Sequence, residues 1–130
     1  MIAIIDYGAG NLFSVKNALR YLGIPAIVTR EEQVIRDADQ LILPGVGAFP
    51  DAMSRLEESG LIRVIKEESK EKPLLGICLG MQMLFEYSEE FKRTKGLALI
   101  PGKVARIPAG GLKIPHMGWN CLKIKTENPI

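Results

Sequence analysis

The sequence predicts an α/β fold: an open, mostly parallel sheet with helices on both faces, plus short antiparallel strands near the C-terminus. Three observations carry this. Short apolar runs alternate with amphipathic stretches up to Lys95, the pattern of buried strands joined by crossover helices. Glycine and proline punctuate the ends of those runs, as in "LPGVG" at 43–47, where the chain has to turn. After Lys95 the apolar pieces become short and are separated by proline, glycine and turn residues with no helix between them. With 130 residues and 47% hydrophobic content, the chain can bury the core of one domain.

The first element is "IAII" (2–5), a buried-strand run. Asn11 is placed to cap a helix whose Leu12, Val15, Leu19 and Leu22 share one face, and Gly23 and Pro25 stop it. A second strand, "AIV" (26–28), is followed by a short polar helix and then by "QLILPG" (40–45), whose apolar residues end at Pro44. "PDAMSRLEESG" and "LIRVIKEESKEK" are helical segments interrupted at Gly60, and Pro73 precedes the strand "LLGIC" (74–78). In "LLGICLGMQMLFE" (74–86) the pattern turns from strand-like to helix-like at the cysteine. "LALI" (97–100), "KVARI" (103–107) and "CLKIK" (121–125) are strand-like. The sequence stops at "TENPI" in what reads as mid-connection, with nothing to cover the strand carrying Cys78. A sheet of this type buries its strands on both faces, so a longer natural chain is expected.

Several function classes are excluded at this level. The 17 basic and 15 acidic residues are interspersed and leave a net charge of only +2, so no footprint for nucleic acid or an anionic membrane is present. No apolar stretch approaches the roughly 18 residues of a membrane span, and "MIAIIDYG" lacks the features of a signal peptide. The protein reads as cytoplasmic, with Cys78 and Cys121 as free thiols. A single histidine and two distant cysteines give no metal-site spacing. "DYGAGNL" (6–12) invites a dinucleotide reading, but the last glycine of G-x-G-x-x-G would fall at Phe13.

The informative residue is Cys78. Gly76 and Gly80 flank it as glycines flank the serine of a nucleophile elbow, where a strand turns sharply into a helix. Such a turn holds the sulfur out at the carboxyl end of a strand and beside a helix N-terminus, which favours thiolate. The alternative is a buried cysteine packed as a small hydrophobe. "LPGVGAF" (43–49) also ends a predicted strand, on the edge where open α/β sheets keep their sites. Backbone N–H groups of Gly45, Val46 or Gly47, with that of Leu79, are candidates to hold an oxyanion. An ordinary tight turn explains the same glycines.

"GICLGMQMLFE", "PGVGAF", "DYGAGNL" and "KIPHMGWN" together resemble the class I (triad) glutamine amidotransferases, and among them the glutaminase subunits of imidazole glycerol phosphate synthases, over the whole chain. The resemblance implies one class I amidotransferase domain over 1–130, a flavodoxin-like sheet, glutamine as substrate, no cofactor, and ammonia passed to a cyclase partner with a (β/α)₈ barrel in histidine biosynthesis. It implies that Cys78 is the nucleophile, that Gln82 and Glu90 hold glutamine, and that Val46 and Leu79 stabilise the oxyanion. His116, Met117, Trp119 and Asn120 match the segment that faces the partner, and the loop of Asn11 lies near that interface. Without the family match, Gln82 and Glu90 read as solvated side chains, the 116–120 residues as local packing, and Asn11 as a helix cap alone.

One departure matters. Triad members draw a histidine and a glutamate from a His-Pro-Glu segment well beyond the cysteine, and these 130 residues contain none. The sole histidine, His116, falls on the partner-facing match and has no orienting carboxylate, so it is not assigned as base. The chain alone is expected to be inactive. Two other readings are another class I glutaminase or cysteine hydrolase of the same fold, and a non-catalytic α/β assembly module in which Cys78 is inert.

Overall fold

The computed structural model describes residues 1–126; the "TENPI" ending lies outside them apart from Thr126. The chain runs β1 (Ile2–Ile5), α1 (Leu12–Tyr21), β2 (Ala26–Thr29), α2 (Glu32–Asp37), β3 (Gln40–Gly45), α3 (Phe49–Glu58), α4 (Ile62–Glu68), β4 (Leu74–Cys78), α5 (Leu79–Met83), β5 (Phe85–Ser88), β6 (Thr94–Lys95) and β7 (Ile100–Val104). The main sheet has the order β2-β1-β3-β4, every pair parallel.

Strand periodicity divides the apolar side chains between two faces. Ala3, Ile5, Leu41 and Leu43 join Ile35 of α2, Leu56 of α3, Ile65 of α4 and Met83 of α5 in the larger core. Ile4 and Ile42 point the other way and meet Leu19 of α1, with Leu12, Val15 and Ile77 packed at the margin. Helices therefore cover both faces, as the alternating pattern predicts. Coverage is uneven: α1 lies over β1 and β2, while on β4, at the edge of the sheet, Leu75 is 45% exposed.

Three expectations need correction. Leu22 belongs to the apolar spacing of α1, yet it is exposed. The helix ends at Tyr21 and Leu22 is its C-cap, past the turn that faces the sheet. The helix after Cys78 ends at Met83 rather than running through "MLFE", because the returning chain takes its carbonyls. Leu97 N–H bonds to Met83 O at 2.8 Å, Leu99 N–H to Leu84 O at 2.8 Å and Ala98 N–H to Phe85 O at 3.0 Å. Phe85 thereby starts a second sheet, in which β5 pairs antiparallel with β6 and parallel with β7. Finally, the C-terminal strands differ from those expected: "LALI" and "KVARI" give one strand, β7, that runs from Ile100 through Pro101 and Gly102 to Val104, and "CLKIK" forms none, since residues 105–126 follow an irregular, largely exposed path and no strand among the described residues pairs with them.

Candidate active site

Because β1, β3 and β4 are parallel, their carboxyl ends and the loops that follow lie on one edge. Register pairs Gly45, the last residue of β3, with Cys78, the last of β4. Cys78 has φ 56° and ψ −117°, the geometry of the first central residue of a type II′ turn, which favours glycine. Holding a residue with a Cβ there costs on the order of 1–3 kcal/mol. The thiol is exposed, so the small-hydrophobe role is not the one it plays.

The flanking glycines let α5 fold back onto the strands. A Cβ on Gly80 would stand 1.9 Å from Leu43 O, and one on Gly76 would stand 2.5 Å from Met81 Cα. A Cβ on Gly45 would meet Gly80 N at 2.5 Å. These approaches are backbone to backbone, so no side-chain rotation relieves them. They bring Leu79 N–H and the 45–47 loop to the same corner as Cys78. In that loop Gly45 is buried, Val46 is 53% exposed and Gly47 has φ 94°. The helix that Cys78 precedes has only five residues, so its dipole is correspondingly small; the elbow rests on backbone geometry rather than on that dipole.

The "DYGAGNL" loop braces this corner. The buried Tyr7 hydroxyl donates to Pro44 O at 2.9 Å, and burial pushes its pKa up to about 12, which keeps it a donor at neutral pH. Arg55 of α3 donates to Gly8 O at 2.8 Å. The Arg30 guanidinium bonds both oxygens of Asp6, at 2.8 and 3.1 Å, and holds its carboxyl below the usual carboxylate range. Asn11 caps α1, its Oδ1 accepting from Ser14 N–H at 3.2 Å.

Gln82 and Glu90 line one cleft of about 550 Å³ with Ser88, Phe91, Val104 and Ile107; Cys78 is not part of its wall. Glu90 is fixed at two points. Its Oε2 accepts from Phe49 N–H at 2.7 Å, and its own N–H donates to the Oγ of fully buried Ser88 at 3.1 Å. The 116–120 segment stands apart, in exposed coil: Met117 is 86% exposed and Trp119 fully so, and His116 Nε2 lies 2.6 Å from Asn120 Nδ2. Among the described residues no group of three or more His, Cys, Asp or Glu side chains is placed to hold a metal ion, and no helix is long and apolar enough to cross a membrane. Sequence reasoning missed Phe49 N–H, Ser88 and Arg55; a backbone donor and two ordinary polar side chains carry no local signal.

The family model of class-I glutamine amidotransferases matches residues 3–128. The chain belongs to that family. Among curated relatives, the amidotransferase chain is 55% identical over 133 residues to the imidazole glycerol phosphate synthase subunit HisH 2 of Vibrio vulnificus, covering 99% of this chain and 62% of that one. It is 56% identical over 131 residues to subunit HisH of Bacillus cereus, covering 100% and 62%, and 56% identical over 134 residues to subunit HisH of Halalkalibacterium halodurans, covering 98% and 63%. The chain thus spans less than two thirds of the length of these relatives. Among solved structures, a glutamine amidotransferase crystal structure shares its fold at a TM-score of 0.69 and 22% identity, covering 88% of this chain and 60% of the other. A putative peptidase E from Listeria monocytogenes does so at 0.61 and 16%, covering 76% and 62%.

Proposed function

We propose that the whole protein is the cytoplasmic glutaminase subunit of an imidazole glycerol phosphate synthase, releasing ammonia from glutamine for a cyclase subunit with a (β/α)₈ barrel in histidine biosynthesis. The observation that carries the chemistry is the backbone of Cys78, a non-glycine residue at φ 56° and ψ −117° with its thiol exposed. The relatives named above, synthase subunits at 55–56% identity, support the pathway and the partner.

Gln82 and Glu90 hold glutamine so that its side-chain amide reaches the elbow. The Cys78 sulfur attacks the amide carbon, and the N–H groups of Val46 and Leu79, with Gly45 and Gly47 shaping the loop, take the charge that develops on oxygen. The C–N bond breaks as ammonia leaves with a proton from an acid, and a glutamyl thioester remains. Water then adds to the thioester carbon, its proton passes to the same group acting as base, and glutamate and the thiol are released. Asn11, His116, Met117, Trp119 and Asn120 belong to the surface that meets the cyclase, so His116 is not assigned as the proton carrier.

The test is glutamine hydrolysis by the full-length protein with its cyclase subunit. Turnover is expected in the wild type and only background after Cys78→Ala. The 130-residue chain is expected to show background rates too, since proton transfer of this kind contributes about 10²–10⁴ in rate. Turnover that survives Cys78→Ala overturns the nucleophile, and robust hydrolysis by the 130-residue chain makes His116 the base.

A further inference from the structure

Helix α3 starts at Phe49, directly after the loop that carries Val46 and Gly47, and its N-cap residue, Ala48, makes no side-chain capping bond. A helix start leaves several N–H groups without intrahelical partners. Here Pro50 has none to offer, and Ala52 N–H reaches Ala48 O at 3.1 Å. The Phe49 N–H is satisfied from 41 residues away, by Glu90 Oε2 at 2.7 Å. A carboxylate on a helix-start N–H is a charge-assisted bond, stronger than a neutral one. It is also well anchored, because the backbone of Glu90 is pinned by the buried Ser88 hydroxyl.

From this we infer that Glu90 is a positioning residue for the oxyanion loop, an inference that rests on the glutaminase reading of residues 45–47. Gly47, at φ 94°, leaves the loop free to turn its peptide planes, and neither Val46 nor Ala48 has a side chain that can hold them. The bond to Phe49 N–H fixes the far end of the loop, while Gly45, packed on Gly80, fixes the near end. Between these two anchors only Val46, Gly47 and Ala48 remain to set how the loop's peptide planes turn, so fixing both ends narrows that choice. The carboxylate therefore does two things in one place, since it also lines the cleft with Gln82.

The test reads the loop itself, by amide NMR on the uniformly ¹⁵N-labelled full-length protein. In Glu90→Ala, Phe49 N–H should exchange with solvent at least about tenfold faster, given what a hydrogen bond to a charged group contributes. The Val46, Gly47 and Ala48 resonances should move, while those of Ile4 and Ile42 in the sheet stay in place. Glu90→Gln keeps an acceptor oxygen at the same reach and should bring the loop resonances back close to wild type. Glu90→Asp keeps the charge but withdraws it by one methylene, and should displace them. If Glu90→Ala does not fold, the contrast between Gln and Asp decides. Loop resonances that stay in place in Glu90→Ala, or that respond alike to Gln and Asp, overturn the inference. No arm uses glutamine or turnover, so the loop can fail this test while Cys78 hydrolysis stands, and the reverse.

Discussion

At the scale of single residues, the strained cysteine makes a sharp prediction. An L-residue at φ 56° and ψ −117° crowds its own Cβ, whereas glycine adopts positive φ freely. Cys78→Gly should therefore be more stable than Cys78→Ala by about 1 kcal/mol, even though glycine gives the unfolded chain more entropy. Urea denaturation of the two variants measures this, and an alanine variant as stable as the glycine one contradicts the elbow geometry. The elbow was legible in the sequence because its cause is local, two glycines within two residues of the cysteine. The Glu90 bond was not, because its donor is a backbone N–H distant along the chain and nothing about Phe49 as a residue type announces it.

At the scale of elements, local chemistry predicts starts better than stops. Asn11 caps α1 through Ser14 N–H, as its residue type suggests, and Asn11→Ala should cost about 1 kcal/mol. Thermal or urea unfolding checks this, and an unchanged midpoint would show that the cap contributes nothing. Strands β1 to β4 coincide closely with the apolar runs that predict them, because those runs are short and, for β2, β3 and β4, proline or glycine marks an end. "MLFE" fails for the opposite reason. Its residues suit a helix, but Leu97, Ala98 and Leu99 bring N–H donors to the carbonyls of Met83, Leu84 and Phe85, and that tertiary choice is invisible to a window of neighbours. "CLKIK" has a strand's composition without a partner strand among the described residues.

At the scale of the whole molecule, charge pairs give stability a pH dependence of predictable sign. Arg30 lowers the pKa of Asp6, the N-terminal ammonium lowers that of Asp39, Arg36 that of Glu67, and Lys72 with Arg36 that of Glu68. A carboxyl depressed in the folded state takes up its proton more readily when unfolded. The stabilisation is complete above the ordinary carboxylate range, about 4, and is lost as pH falls through the lower folded values. The urea midpoint should hold from pH 7 to about 5 and fall below 4. Arg36→Met should flatten that fall, and an acid limb identical to wild type contradicts the assignment. The sequence made the α/β class legible at this scale, since periodicity sets which faces are apolar. It left open the strand order β2-β1-β3-β4, which depends on where each crossover lands.

The open edge of β4 adds something that none of these measurements isolates. Among the described residues one side of that strand has no neighbour, and Leu75 beside it is 45% exposed. Unpaired strand edges are templates for another strand. Two molecules meeting there would gain backbone bonds and cover leucine together, and the gain would depend on how often they meet. If copies of the 130-residue chain do pair at this edge, the urea midpoint should rise with protein concentration, and a dilution series that leaves it unchanged shows that they do not.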